Sequence, residues 1–202
     1  DGRDLLALAP RQRVRAGLTR SFQSLELFAD LTIRENLAVA CDDGALHRYA
    51  VDLVRPGPVE LDDEALAVID RLDLWDVLDH RPDEISFGRR RLVAIARAVA
   101  ARPSVIMLDE PAAGLDDGES RDLAEVIRAL ARDWGMAVLL VEHNTDLVLS
   151  VCDRITVLAN GAVLTSGTAD EVRHDPRVLE VYLGAARDDD AEPAAPTVEV
   201  GR

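Results

Sequence analysis

The sequence predicts an α/β fold with a mostly parallel sheet. Short apolar runs of strand length lie at residues 105–108, 136–141 and 154–158. Between them, residues 117–134 and 146–151 carry apolar side chains at helical spacing. This alternation is typical of parallel strands joined by crossover helices. The first of these runs ends in two adjacent acids, which predicts carboxylates at an open edge of the sheet.

Composition excludes several classes of protein. The 202 residues carry a net charge of -15 and a sequence pI near 4.6, which would repel nucleic acid. The longest apolar runs fall far short of the roughly 18 residues that span a bilayer, so we expect membrane contact only through a partner. Cys41 and Cys152 lack metal-ligand spacing and predict neither a zinc site nor a disulfide framework. A reducing cytosol fits this usage best.

A helical region separates the start of the chain from the residue 105 strand. Residues 20–23 are typical of the end of a short strand, and Thr32 is placed to cap a helix over 33–40. Apolar residues at helical spacing predict a second helix within 62–74. Ser86 is placed to cap a third helix, which Pro103 ends. We therefore expect a small helical subdomain over about residues 30–100.

The C-terminal part of the chain predicts a hairpin, a helix and a tail. Asn160-Gly161 joins the residue 154–158 strand to residues 162–165, a strong signal for a two-residue turn. A last helix is predicted over 176–183. Residues 185–202 are rich in Asp, Glu, Ala and Pro, which predicts a disordered tail. The domain prediction is thus one folded domain over 1–184, followed by this tail.

Three polar side chains follow two successive predicted strands. Asp109 and Glu110 end the first strand, and His143 follows the second. Ligands bind at the carboxyl ends of strands in open α/β sheets, where a magnesium ligand and a water-polarising base serve nucleotide hydrolysis. An apolar strand ending in Asp-Glu also occurs for purely structural reasons. Ser86 precedes Asp109 by the length of one helix and one strand, and His143 follows Asp109 by a similar length. This placement favours the functional interpretation.

Five motifs occur in order along the chain. They are Ser21-Phe22-Gln23, Ile85-Ser86-Phe87-Gly88-Arg89, Val105-Ile106-Met107-Leu108-Asp109-Glu110-Pro111, Ala112-Ala113-Gly114-Leu115-Asp116 and Val141-Glu142-His143. Their order and spacing resemble the Q-loop, signature, Walker B, D-loop and switch-histidine series of ABC transporter ATPases. The match is closest to the ATP-binding subunits of branched-chain amino acid importers, which also carry a terminal segment like residues 175–184. The resemblance implies a P-loop NTPase-like fold over about residues 1–184.

The resemblance also implies roles for individual residues. Asp109 corresponds to the aspartate that holds Mg²⁺, and Glu110 to the glutamate that activates the attacking water. Gln23 corresponds to a glutamine that binds a magnesium water and lies beside the permease. His143 corresponds to a histidine that donates a hydrogen bond to the γ-phosphate, and Asp116 to a residue that couples two sites across a dimer.

The signature segment implies a composite site. Ser86 and Gly88 begin a helix whose free N–H groups favour an anion, and in the family this end closes over ATP on the opposite subunit. A dimer, with an identical or a paralogous ATP-binding subunit, is therefore implied. Phe87 replaces the usual first glycine, and Arg89 replaces the usual glutamine. Arg89 is a candidate phosphate contact, although the run of arginines at 89–91 is also typical of a solvated helix face.

One part of the family pattern is missing. All 23 basic residues are arginine, so the sequence holds neither a lysine nor a G-x-x-x-x-G-K-[ST] motif. The sequence opens on Asp1, without a predicted strand, and we expect that N-terminal strands and a P-loop precede it. The implied function is an ATP-hydrolysing subunit of an importer, with ATP and Mg²⁺ as cofactors. It is expected to lie in the cytoplasm, on permease subunits at the inner face of the membrane.

Two other functions stay open at this point. A truncated, non-catalytic module could dock on a permease or on a paralogous ATPase, and the absent lysine is compatible with that interpretation. A chromosome-associated ATPase is disfavoured by the acidic charge and by the lack of coiled-coil heptads. The transported substrate and the direction of transport do not follow from the residues themselves.

Overall fold

A computed structural model describes residues 4–21, 27–41 and 61–180. Gln23 and the predicted tail lie outside the described residues. The chain divides into two compact units, residues 1–151 and 152–202, which are described separately. None of the described helices is long and apolar enough to cross a membrane.

The first unit alternates helices and strands as the sequence predicts. Among the described residues its helices are α1 (Pro10–Arg15), α2 (Ile33–Cys41), α3 (Asp63–Arg71), α4 (Phe87–Ala100), α5 (Asp117–Arg132) and α6 (Thr145–Val151), and its strands are β1 (Leu18–Ser21), β2 (Val105–Asp109) and β3 (Ala137–Val141). Short 3-10 turns lie at Leu5–Ala7, Trp75–Val77 and Pro82–Glu84. The second unit contains β4 (Ile155–Ala159), β5 (Ala162–Gly167), α7 (Ala169–Arg173) and a helical stretch at 176–180. The α/β class is confirmed.

The sheet of the first unit is parallel, in the order β1-β2-β3. Ile106 and Leu108 of β2 are buried in the hydrophobic core with the helices, whereas Met107 between them is only half-buried. On the neighbouring strand Leu139, paired in register with Met107, is exposed. Because side chains alternate along a strand, one face of the sheet packs against the core and the other is more open.

The sequence interpretation of residues 154–158 as a further parallel strand is wrong for the described sheets. β4 pairs antiparallel with β5 in a separate two-stranded sheet. Asn160 and Gly161 both have positive φ, 49° and 78°, which fits the two-residue hairpin turn that the sequence predicts. Such a short connection returns the chain antiparallel, since a parallel neighbour needs a long crossover.

Helical caps lie where the sequence predicts them. Thr32 and Glu35 form a reciprocal cap, in which the Thr32 backbone N–H donates to the Glu35 carboxylate at 2.7 Å. Ser86 caps α4 by accepting a hydrogen bond from the Arg89 N–H at 3.3 Å. In the described residues between β1 and β2 the regular elements are all helical, which agrees with the predicted helical region.

A buried amide fixes the segment that enters α2. Asn36 accepts a hydrogen bond from the Phe28 N–H at 2.8 Å and donates to the carbonyls of Phe28, Leu31 and Thr32. The side chain is fully buried, so losing these partners would leave polar groups unsatisfied. The interior of the helical region therefore depends on one specific polar residue as well as on apolar packing.

Candidate functional site

The ends of β2 and β3 bring the predicted acids and the histidine together. Asp109 is in register with Val141, and the Glu110 N–H donates to the Val141 carbonyl at 2.8 Å. His143 follows directly, with its Nδ1 3.8 Å from Glu110 Oε1. The expectation that these side chains lie at the carboxyl ends of neighbouring strands is confirmed. Long-range pairing of two parallel strands produces this arrangement.

Glu110 has an unusual backbone conformation. Its φ of 44° lies in the left-handed region, which non-glycine residues seldom adopt and which costs conformational energy. The chain turns at this residue, and the next residue, Pro111, is fully buried. The turn presents the Glu110 carboxylate at the open edge of the sheet instead of continuing the strand. Strained residues of this kind cluster at functional sites, which supports a role for this side chain.

Asp109 is paired with a residue that the sequence analysis did not single out. Arg20, on the neighbouring strand β1, donates from Nη2 to Asp109 Oδ2 at 2.5 Å. A charge-assisted bond of this kind is stronger than a hydrogen bond between neutral groups. Only the pairing of β1 with β2 brings these two residues together, since they lie far apart in the sequence.

The site chemistry is compatible with Mg²⁺ bound through a nucleotide. In the described parts of the chain, no three His, Cys, Asp or Glu side chains cluster as metal ligands. Mg²⁺ in nucleotide enzymes is commonly held by one or two carboxylates together with substrate phosphates, so a single aspartate is sufficient. Asp109 has the required carboxylate and is partly exposed at the sheet edge, and a metal ion on its Oδ2 would require Arg20 to release that oxygen.

Glu142 is a buried carboxylate that connects two loops. Its side chain has 0% exposure. It accepts hydrogen bonds from the backbone N–H groups of Ala112, at 2.8 Å, His143, at 2.8 Å, and Asn144, at 2.9 Å. In the sequence, Glu142 is distinguished only as part of the Val141-Glu142-His143 motif. The available signal was an acid directly after an apolar run, but the three donors to its carboxylate come from two separate segments of the chain.

Arg91 contradicts the interpretation of residues 89–91 as a solvated helix face. Its exposure is 4%, and its Nη2 donates to the Ala113 carbonyl at 3.2 Å. Burial lowers the pKa of Arg91, whereas the nearby negative charge of Glu142 raises it. The Arg91 guanidinium also lies over the Phe87 ring, with its carbon 5.4 Å from the ring centroid. Arg91 therefore belongs to the interior of the site.

Phe87 and Gly88 shape the start of α4. Gly114 has a φ of 79°, and a Cβ placed on it would lie 3.2 Å from the Phe87 ring. At Gly88 an added Cβ would collide with the Glu119 carboxylate. Glycine at 114 thus allows the segment after β2 to approach the start of α4 closely, whereas at 88 the flexible Glu119 side chain would have to move.

The remaining predicted ligands have local partners in this structure. Arg89 donates to the Asp73 carbonyl and, at 3.1 Å, to the Asp76 carboxylate. Asp116 caps α5 by accepting from the N–H groups of Gly118 and Glu119, at 2.7 and 2.8 Å. A phosphate contact by Arg89 would require its guanidinium to leave both partners, so the structure favours a packing role for it.

These features define a class of protein: an α/β fold with acids and a histidine at the carboxyl edge of a parallel sheet, beside a capped helix start. The family model described as "ABC transporter" matches residues 1–113. A second model, "Branched-chain amino acid ATP-binding cassette transporter", matches residues 162–188. The chain belongs to the ABC transporter family, whose ATP-binding subunits are ATPases.

Named relatives cover most of the chain. The high-affinity branched-chain amino acid transport ATP-binding protein LivG of Salmonella typhimurium is 35% identical over 192 residues, which are 91% of this chain and 74% of LivG. BraF of Pseudomonas aeruginosa, with the same description, is 34% identical over 92% of the chain and 75% of its own length. The lipopolysaccharide export system ATP-binding protein LptB of Haemophilus influenzae is 34% identical, with 91% and 72% covered.

Solved structures agree with the family. MJ1267, an ATP-binding cassette of an ABC transporter in its ADP conformation, superposes with a TM-score of 0.74 at 29% identity over 90% of this chain and 74% of MJ1267. A nucleotide-free ATP-binding cassette gives 0.72 at 28% identity, with 89% and 74% covered. The family resemblance and the predicted nucleotide-binding fold are thereby confirmed.

Proposed function

We propose that this chain is the ATP-hydrolysing subunit of a branched-chain amino acid importer, and that Glu110 and His143 act on the nucleotide. The observation that carries the site assignment is the 3.8 Å approach of His143 Nδ1 to Glu110 Oε1 at the shared end of β2 and β3. Two polar groups that converge at this edge can act on one reacting phosphate. The left-handed backbone at Glu110 supports the same assignment.

Each polar side chain has a distinct role in the proposal. Asp109 would hold Mg²⁺, whose positive charge would stabilise the negative charge that develops on the phosphate during hydrolysis. Glu110 accepts a hydrogen bond from the attacking water and orients it toward the γ-phosphate. His143 is largely exposed, and it donates a hydrogen bond to the γ-phosphate. Gln23, outside the described residues, is proposed by family resemblance alone as a contact to a magnesium water and to the permease.

The second half of the nucleotide site is proposed to come from another subunit. Ser86 and Gly88 stand at the start of α4, a 14-residue helix whose N-terminal N–H groups favour an anion. This start would face ATP bound to a second ATP-binding subunit, identical or paralogous. Asp116 is proposed to transmit changes between the two sites. We leave Arg89 out of the phosphate contacts because its guanidinium binds Asp73 and Asp76.

The substrate assignment depends on the C-terminal match and on the names of two relatives. The description of the family model that matches residues 162–188 names branched-chain amino acids, and so do the descriptions of LivG and BraF. LptB has almost the same identity but serves lipopolysaccharide export, so overall identity does not separate these substrates. We therefore base the choice on the C-terminal segment. Integral-membrane permease subunits would place the protein at the cytoplasmic face of the membrane.

The 202-residue chain by itself is expected to bind MgATP poorly. A P-loop supplies a lysine charge and many backbone hydrogen bonds to phosphate, and this sequence contains neither a lysine nor the P-loop motif. Isothermal titration of the chain with MgATP should give no saturable heat. Tight binding by this polypeptide would contradict the expectation.

The absence of lysine from this sequence is also the observation that favours the second candidate function, a non-catalytic module that docks on a permease or a paralogous ATPase.

His143→Ala is expected to lower ATP hydrolysis by about a hundredfold in the complete gene product assembled with its permease, because a donor to the transition-state phosphate is lost. His174→Ala is the matched control, since His174 is an exposed histidine whose ring contacts the Asp170 carbonyl near α7. A phosphate-release assay should show the control within about twofold of wild type. An assembled transporter without ATPase activity would favour the docking module, and equal activities in all three proteins would remove His143 from the site.

A further inference from the structure

We propose that Arg91 and Glu142 are positioning residues, a buried pair that fixes the loops carrying Glu110 and His143 and joins these loops to the helix that begins at Ser86. This proposal rests on the proposed function, because it concerns the geometry of the same hydrolytic site. Neither residue is assigned contact with the nucleotide. Both act through the backbone of other residues.

Glu142 connects the two loops directly. The Ala112 N–H belongs to the segment after β2, and the N–H groups of His143 and Asn144 belong to the segment after β3. One carboxylate therefore accepts hydrogen bonds from both segments, with Glu110 at the start of one and His143 in the other. Asn144 in turn accepts a hydrogen bond from the Leu147 N–H and so attaches the second loop to α6. Charge-assisted bonds to backbone N–H groups are stronger than neutral ones.

Arg91 extends this connection to α4. Its guanidinium is buried and donates to the carbonyl of Ala113, the residue next to the Ala112 N–H that Glu142 binds. A buried charge needs an opposite charge and hydrogen bonds to remain ionised. Glu142 supplies the opposite charge, as its favourable electrostatic effect on the pKa of Arg91 indicates. The interior thus contains a cation from α4 and an anion from the loop after β3, with the 112–113 backbone bonded to both.

The arrangement has a mechanical consequence. Arg91 lies one and a half turns from Ser86 on the same helix, which is rigid over this distance. A shift of the α4 start would therefore move Arg91 against the Ala113 carbonyl. Because Glu142 Oε2 is also 3.8 Å from His143 Nδ1, the loop that responds includes the histidine itself. Arg91 and Glu142 would thus couple the start of α4, which is proposed to face ATP on a second subunit, to the loops that carry Glu110 and His143 in the same chain.

The test begins with amide hydrogen exchange on the 202-residue chain. In Glu142→Gln, the amides of residues 112, 143 and 144 should exchange at least about tenfold faster than in wild type, since hydrogen bonds to a charge are lost. The amides of α2 and α3 should keep wild-type protection. Arg97→Met is the matched control, because Arg97 lies six residues further along the same helix and its guanidinium lies over the Phe28 ring. It should leave exchange at 112, 143 and 144 unchanged.

Arg91→Lys keeps the positive charge but loses the planar guanidinium group. This second variant tests the proposal if Glu142→Gln does not fold. It should accelerate exchange at residues 112 and 113 by a smaller factor. Uniform acceleration over all helices, no acceleration in the loops, or failure of both variants to fold would each overturn the proposal, since each indicates general core packing or no role.

Kinetics provide a readout that a purely structural role would not change selectively. In the complete gene product with its permease, Glu142→Gln should lower kcat about tenfold while KM for ATP stays within about twofold, because the geometry of hydrolysis and not nucleotide binding is affected. Equal changes in kcat and KM would contradict positioning. If Glu110→Gln left hydrolysis unchanged, the proposed function would fail, whereas the exchange result at residues 112, 143 and 144 would still decide the inference about Arg91 and Glu142.

Discussion

Glu110→Gln should lower ATP hydrolysis by about two to four orders of magnitude in the complete transporter, while ATP remains bound. The substitution keeps the shape of the side chain but removes the carboxylate that would accept a hydrogen bond from the attacking water. The position allows this loss to act directly, because the left-handed turn after β2 presents residue 110 beside His143. Phosphate release under single-turnover conditions measures the chemical step apart from nucleotide binding.

The matched control for this substitution is Glu125→Gln. Glu125 is an exposed glutamate on α5 whose partner is Arg128 on the same helix, so its removal should change hydrolysis less than about twofold. Because ATP would bind without being hydrolysed, Glu110→Gln should also favour a closed dimer, measurable by light scattering with MgATP. Hydrolysis at the wild-type rate in Glu110→Gln would remove Glu110 from its assigned role.

Leu108→Ala should destabilise the chain by about 3 kcal/mol, within a range of roughly 2 to 5 kcal/mol for buried leucines. Leu108 is 1% exposed and packs in the core on β2, directly before Asp109. Truncation removes apolar contacts and leaves a cavity that rigid neighbouring strands cannot fill. Urea unfolding followed by circular dichroism would measure the change in the free energy of unfolding.

Leu139→Ala is the same chemical change on the open face of the same sheet. Leu139 is 51% exposed, so its truncation should cost less than about 1 kcal/mol. The comparison tests which face of the sheet the chain itself covers. Comparable losses for Leu108→Ala and Leu139→Ala would show that the open face is packed in solution, for instance by another segment or a second copy.

Local features of the fold were predictable because they depend on near neighbours. The Ser86 and Thr32 caps, and the Asn160-Gly161 turn, all involve contacts within a few residues. Residue type alone restricts the backbone at such positions. The placement of Asp109 and Glu110 at a strand end was predictable for the same reason, since an apolar run that changes abruptly to acids marks that boundary.

Apart from the approach of His143 to the acids after β2, contacts distant in sequence were not predictable from the pattern. Arg91 lies in a run of arginines that looks solvated, yet it is buried against residues 22 positions away in the chain. Arg20 meets Asp109 across a strand pair with a sequence separation of 89. The strand at 154–158 and its hairpin partner are present as predicted, but this strand lies outside the parallel sheet, because an apolar pattern does not specify the partner strand. Packing of several elements decides these contacts.

Residue types and their spacing alone decide the order of helices and strands, the chemical groups at the end of β2 and the five family motifs. They do so because side-chain shape and polarity act on the local backbone. The folded chain decides that His143 lies 3.8 Å from Glu110, that Arg20 pairs with Asp109, and that Glu142 is enclosed by backbone donors. These distances arise only when strands from separate parts of the chain pair in register.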